Sequence, residues 1–111
     1  MNNSGIKGNI TATGNKDNVF DLTSSTLGGK LTTGDGNNTI TLNNNSGILD
    51  GINAGIGNDK LIFTDSFAKE EINLGDGNNT VLGNDSIITG NVIAGTGDDK
   101  ITLNNLSLIH I

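Results

Sequence analysis

Four glycine-rich turns hold the side chains of this chain that are best suited to chemistry. They read GDGNNTITL, GIGNDKLIF, GDGNNTVLG and GTGDDKITL, and they begin at Gly34, Gly55, Gly75 and Gly95. Each turn supplies carboxylate or amide oxygens, and Ca²⁺ takes about six to eight oxygen ligands of these kinds. If the turns stack on one another, they predict oxygen coordination of a cation, with calcium as the cofactor.

The turns contain seven candidate calcium ligands. Two of the turns carry a carboxylate between the glycines, and the other two carry one four residues after the first glycine. Like charges at one position are therefore about two coils apart, which is roughly 10 Å at the spacing of paired strands. The candidate metal ligands are Asp35, Asn38, Asp59, Asp76, Asn79, Asp98 and Asp99.

A metal-free stack of turns explains the same alternation. Aspartates stacked at strand spacing repel one another, whereas stacked asparagines form hydrogen-bonded ladders. Lys60 and Lys100 directly follow Asp59 and Asp99, and a neighbouring lysine weakens a cation site. The residues alone leave both interpretations open.

The turns belong to a repeat of 20 or 21 residues that covers the whole chain. A period in this range, with short strand-like runs and a glycine turn in each unit, is typical of a solenoid in which one repeat forms one coil. One predicted apolar column is Ile10, Leu31, Ile52, Ile72 and Val92. The second predicted column is Val19, Ile40, Leu61, Val81 and Ile101.

Within each unit apolar and polar residues alternate, which is the pattern of a strand with one buried face. The sequence therefore predicts an all-β parallel β-solenoid, similar to a β-roll, of about five coils with 20–21 residues per coil. Only Ser66 to Glu71 has any helical pattern. Residues 1–111 are predicted to form a single domain, with a leading half-coil at 1–9 and coils at 10–30, 31–51, 52–71, 72–91 and 92–111.

Composition argues against several classes of function. The net charge is −6, all six basic residues are lysine, and the only aromatic residues are three phenylalanines, so nucleic acid is not an expected partner. No apolar stretch is long enough to span a membrane. A single histidine, His110, and the pair Glu70 and Glu71 are the only remaining candidates for acid–base work, and we expect no enzymatic activity.

The segment Gly55 to Ile62 resembles the G-G-x-G-x-D-x-U-x nonapeptide of RTX proteins, the hemolysin-type calcium-binding repeats of bacterial secreted toxins, proteases and adhesins. Ala94 to Thr102 fits the motif equally well, with Asp99 at the aspartate position. The resemblance implies a parallel β-roll, type I secretion, and calcium held between stacked turns. RTX coils carry two such motifs, whereas each coil here carries one, so at most one edge matches the family.

The expected function is structural. A solenoid exposes unpaired backbone groups at its ends unless a cap covers them, and no cap is evident in the sequence. We expect head-to-tail self-association into an extracellular filament or matrix, modulated by calcium, although a half-coil mismatch arises at a simple junction. The expected location is extracellular or at the cell surface, without a cleaved N-terminal signal peptide. The alternative is a monomeric calcium-binding RTX repeat segment of a type I secreted toxin, protease or adhesin.

Overall fold

A computed structural model describes residues 1–105 of the chain, and this part consists of fifteen short strands. The strands are β1 (Gly5–Ile6), β2 (Ile10–Thr11), β3 (Val19–Thr23), β4 (Thr26–Leu27), β5 (Leu31–Thr32), β6 (Thr39–Asn43), β7 (Gly47–Ile48), β8 (Ile52–Asn53), β9 (Lys60–Thr64), β10 (Phe67–Ala68), β11 (Ile72–Asn73), β12 (Thr80–Asn84), β13 (Ile87–Ile88), β14 (Val92–Ile93) and β15 (Lys100–Asn104).

The strands form three parallel five-stranded sheets, so each coil has three sides. The first short sheet is β1-β4-β7-β10-β13, the second short sheet is β2-β5-β8-β11-β14, and the long-strand sheet is β3-β6-β9-β12-β15. The predicted all-β parallel solenoid of about five coils is therefore confirmed. The segment 66–71 is not helical: β10 lies there, and Glu70, two residues beyond the strand, adopts a left-handed φ of 64°. Nowhere in residues 1–105 is there a helix long and apolar enough to cross a membrane.

The first predicted apolar column is confirmed by the strand register. Ile10 pairs with Leu31, Leu31 with Ile52, Ile52 with Ile72 and Ile72 with Val92. All but Ile10 are buried, so the core is a set of aliphatic ladders. Burying these faces on one another stabilises coils that could not fold singly.

The second predicted column is wrong at its first member. Phe20, not Val19, pairs with Ile40, and Val19 pairs with Thr39 and is 76% exposed. The reason is an extra residue at a corner: Ile10 precedes Gly14 by four positions, whereas each equivalent residue in the later coils precedes its glycine by three. Because of the extra residue, Ile10 pairs with a residue 21 positions later, whereas the residues of the next strand pair with residues 20 positions later. Ile40 therefore pairs with Phe20, one residue beyond the predicted Val19.

Backbone packs directly on backbone at the glycine turns. Gly75 has a φ of 68°, which side-chain-bearing residues rarely adopt, and a Cβ at this position would overlap the carbonyl oxygen of Gly55 in the preceding coil. Gly57 meets the carbonyl of Gly36 in the same way. These glycines are required by the fold itself, whatever the turns bind.

Candidate functional site: the glycine edge

The five turns between the second short sheet and the long-strand sheet stack into one edge of the solenoid. Parallel pairing of both flanking sheets brings equivalent residues of successive turns into contact. We call this edge the glycine edge, and it comprises residues 14–18, 34–38, 55–59, 75–79 and 95–99. All seven predicted metal ligands lie on it.

The inner column of the glycine edge consists of Asn18, Asn38, Asp59, Asn79 and Asp99. The backbone N–H of each of the first four residues donates to the side-chain Oδ1 of the next coil's residue, with N···O distances of 3.1, 2.9, 2.9 and 2.9 Å in chain order. Each inner side chain after Asn18 thus accepts a hydrogen bond from the coil that precedes it. The column joins all five coils by side-chain to backbone hydrogen bonds.

The amide nitrogen of Asn38 is surrounded by oxygen atoms. It lies 3.0 Å from the carbonyl oxygen of Gly34, 3.1 Å from that of Gly36, 3.0 Å from that of Ala54 in the next coil, and 2.9 Å from Asp59 Oδ1. A ring of carbonyl and carboxylate oxygens from two coils is the donor set that suits a hard cation. Here an N–H₂ group already occupies its centre.

The other two inner asparagines repeat this arrangement. Asn79 Nδ2 donates to the carbonyls of Gly75 and Ala94, both at 3.1 Å. Asn18 Nδ2 donates to the carbonyl of Thr33 at 2.8 Å. In each case the amide donates to main-chain carbonyls of its own turn and of the next coil.

Asp59 stands in this column without an amide. It is 2% exposed, and its Oδ2 is buried with no hydrogen-bond partner among the described residues. By repeat equivalence with Asn38, the main-chain oxygens that belong to its position are those of Gly55, Gly57 and Leu74. A carboxylate oxygen among carbonyl oxygens is unfavourable, whereas a carboxylic O–H could donate to one of them.

Burial raises the pKa of the Asp59 carboxyl above its ordinary value, because desolvation penalises the charged form. Hydrogen bonds from the backbone and then the side chain of Asn38 oppose this shift, and the negative charge of Asp35 adds to it. The site therefore favours a neutral carboxyl or a carboxylate compensated by a cation.

The outer column consists of Asp17, Asn37, Asn58, Asn78 and Asp98, the residues that directly precede those of the inner column. Here the hydrogen bonds run the opposite way: each backbone N–H donates to the side-chain Oδ1 of the preceding coil, at 2.8 Å in all four pairs. These side chains are exposed. Neighbouring positions in sequence thus form two ladders of opposite direction.

Asp35 and Asp76 form a third, interrupted column between the glycines. Asp35 Oδ1 accepts the backbone N–H of Ile56 at 3.0 Å, and Asp76 Oδ1 accepts that of Thr96 at 2.9 Å. The hydrogen bond from the Thr96 backbone, followed by that from its side chain, lowers the pKa of the Asp76 carboxyl. Both carboxylates link one coil to the next.

The structure distributes the seven predicted ligands over three columns of one edge. Within residues 1–105 it brings no three aspartate, glutamate, histidine or cysteine side chains together as a metal-holding group. At Asn38 and Asn79 the amide nitrogen donates to main-chain carbonyl oxygens of the kind that a cation would use, and calcium at these positions stays a prediction. Asp59 retains an unpaired carboxylate oxygen, and calcium there stays a prediction.

Of the outer column, sequence reasoning gave a metal-binding role to Asp98 alone, and it gave no role to a second polar ladder at the next corner. There the backbone N–H of Ser4 donates to Ser25 Oγ, Ser25 to Ser46 Oγ, and Ser66 to Ser86 Oγ. The signal was present as serine at a fixed offset in each repeat. The serine rotamers determine which hydrogen bonds form at this corner, and the repeat pattern does not reveal rotamers.

The carboxylates considered for acid–base chemistry lie elsewhere. Glu70 and Glu71 line a groove of about 270 Å³ together with Asp50 and Lys30. His110 lies outside the described residues. The absence of enzymatic activity remains a prediction.

Fold and edge together define a class: a three-sided parallel β-solenoid whose turns are joined by asparagine–aspartate ladders. Comparison with known protein families, with curated proteins and with solved structures finds no match to this chain.

Proposed function

We propose that this protein is a non-catalytic structural module that self-associates head-to-tail into an extracellular filament or matrix. The observation that carries the proposal is that, within residues 1–105, the outermost strands at both ends of the solenoid pair with a full strand on one side only. In the described part of the chain, β1, β2 and β3 terminate the three sheets on one side, and β13, β14 and β15 terminate them on the other. Strand edges of this kind pair readily with another strand.

The apolar ladders support the same proposal. Ile6 belongs to the ladder that continues through Leu27, Ile48, Ala68 and Ile88, all of which are fully buried, but Ile6 itself is 38% exposed. A further coil on this side would cover it. We assign that coil to a second copy of the chain.

Head-to-tail stacking joins different surfaces of the two copies, so repetition extends a filament unless a rotation closes it into a ring. In the described residues each of the three sheets contains the same number of strands, five. A second copy could therefore extend all three sheets together. Residues 1–3 already pair with the outer side of β3, since Asn2 bridges to Thr23 and the Asn3 N–H donates to the Thr23 carbonyl. They would overlap with the last long strand of a neighbouring copy. In a continuous stack these residues would have to move aside from the strand end of the neighbouring copy.

Electron microscopy tests the proposal directly. The purified chain is followed over time by negative-stain imaging and circular dichroism at several concentrations, in EGTA and in calcium. We expect β-rich filaments that elongate faster at higher protein concentration. A folded monomer at every concentration, with and without calcium, would contradict self-association.

A second candidate function is supported by Asp59. Its unpaired, buried Oδ2 lies in the turns where the RTX resemblance places calcium, and this favours a monomeric calcium-binding repeat segment of a type I secreted protein. That function predicts a calcium-dependent gain in melting temperature that Asp59→Asn removes. Equal melting temperatures in EGTA and calcium would argue against it.

A further inference from the structure

We infer that the junction between copies is built by the two ladders of the glycine edge, which continue from the last coil of one copy into the first coil of the next. This inference rests on the proposed head-to-tail assembly and names the groups that determine its register. The partner is a second copy of this chain, because the hydrogen-bond donors and acceptors left at the two ends of the ladders are complementary.

The inner column supplies one pair. Asn79 N–H donates to Asp99 Oδ1, but the N–H of Asp99 has no acceptor within residues 1–105. At the other end, Asn18 Oδ1 accepts no hydrogen bond from the described residues, although its amide group donates. Stacking the first coil of a second copy on the last coil of this one would place an Asn18 oxygen where the column requires it.

The outer column supplies the reciprocal pair. Asp98 N–H donates to Asn78 Oδ1 at 2.8 Å, while the Asp98 carboxylate accepts nothing in the described part of the chain. The N–H of Asp17 likewise lacks an acceptor there. Because this ladder runs opposite to the inner one, the second copy would donate from Asp17 to Asp98 as it accepts at Asn18 from Asp99.

A lysine in the first turn bears on the same contact. The last turn carries Asp98 and Asp99 side by side, whereas the first turn has Lys16 in place of the second glycine. The Lys16 carbonyl lies beneath Gly36, so Lys16 occupies the column that ends at Gly97, next to Asp98. Lys16 of the second copy would therefore lie near Asp98 and offset the repulsion between the stacked carboxylates of Asp17 and Asp98. Two last turns facing each other have no such lysine column between them and would repel.

Asp98 is the residue to change, since no hydrogen bond within residues 1–105 uses its side chain. Asp98→Ala removes the side-chain acceptor. Asp98→Asn keeps an amide Oδ1, the same acceptor that Asn78 provides for the Asp98 N–H in this column. Asp50→Ala removes an exposed carboxylate at another corner and serves as the matched control. All three variants should keep the circular dichroism spectrum and melting temperature of the parent chain.

We expect Asp98→Ala to raise the critical concentration for filament formation by roughly tenfold or more, since a hydrogen bond to a charged group is lost. Asp98→Asn and Asp50→Ala should assemble within a few-fold of the parent. Added at a low ratio to the parent chain, Asp98→Ala should also shorten filaments, because its first coil can still join a growing end that it then blocks.

The outcomes separate the two claims. If the parent forms filaments and Asp98→Ala assembles as well as Asp50→Ala, the ladder junction is wrong and head-to-tail assembly stands. If the parent forms no filaments, the proposed function fails, and the junction fails with it.

Discussion

Asn38 donates twice to the same atom of Asp59: its backbone N–H and its side-chain amide both lie 2.9 Å from Oδ1. The second carboxyl oxygen of Asp59 receives nothing from the described residues. One oxygen is thus fully used and the other is buried without a partner. Asp59 is the buried member of the inner column that lacks the amide its position would use.

Replacing Asp59 with asparagine should stabilise the protein in EGTA by about 1–3 kcal/mol, because the new amide can donate to the carbonyls that surround this position. Urea denaturation followed by circular dichroism measures the change. Asp76→Asn, which removes an exposed carboxylate of the same edge, is the control and should not stabilise. A loss of stability for Asp59→Asn in EGTA would show that the ionised carboxylate, not the amide, suits the site.

The same carboxyl should make stability depend on pH. The pKa of Asp59 is raised in the folded state, so the folded protein holds this proton more tightly than the unfolded chain does. The associated stability is fully present below the unfolded pKa and is lost as the pH rises through the folded pKa. Acidification from neutral pH towards the ordinary aspartate range should therefore raise the free energy of unfolding.

Asp76 acts in the opposite sense. Its lowered pKa gives stability above the unfolded value that is lost as the pH falls through the folded value. This contribution is small because the group is exposed. Urea titrations at several pH values, on the parent and on Asp59→Asn, isolate the Asp59 effect, which should vanish in the variant. A parent whose stability falls steadily on acidification from neutral pH would contradict the assignment.

Asn38→Ala should destabilise the fold by about 2–4 kcal/mol, since it leaves the carbonyls of Gly34 and Ala54 without their donor and removes a donor to Asp59. The matched change in the outer column is Asn37→Ala. It removes one exposed acceptor, that for the Asn58 N–H, and should cost about 1 kcal/mol or less. Equal losses in thermal or urea denaturation would mean that the hydrogen bonds donated by the Asn38 amide add nothing to stability.

Gly75→Ala should cost more than about 2 kcal/mol, because it combines a left-handed φ with an overlap between the new Cβ and the Gly55 carbonyl. Gly8→Ala provides a matched control, since a Cβ there meets nothing within 4 Å. That change should stay within about 0.5 kcal/mol. Differential scanning calorimetry of the two variants distinguishes backbone stacking at the glycine edge from a general effect of losing a glycine.

The repeat period was enough to predict the parallel solenoid and its first aliphatic column, because every coil from Leu31 to Val92 buries the same position. It was not enough to place Phe20. A one-residue insertion before Gly14 shifts the pairing without disturbing the visible spacing of the glycines. Local insertions at corners are invisible to a pattern read from apolar residues alone.

The residues predicted as ligands lie along one edge, but the sequence did not separate that edge into two ladders of opposite direction. Asn37 and Asn38 are adjacent and chemically identical, yet one points outward and accepts from the next coil, while the other points inward and accepts from the preceding one. Backbone dihedrals and rotamers make that difference. Sequence pattern could place both amides in the turn, but it could not assign the direction of either.

The adjacency of these two columns also constrains how such a chain can change over generations. The two coils that are one residue longer than the others carry the extra residue outside the two ladders of the glycine edge, before Gly14 and around Asn44 and Asn45. A deletion within 34–38 would instead exchange the inward and outward residues and break every rung they share. Duplication or loss of an entire coil leaves both ladders in phase, so length is expected to vary among descendants in steps of about twenty residues.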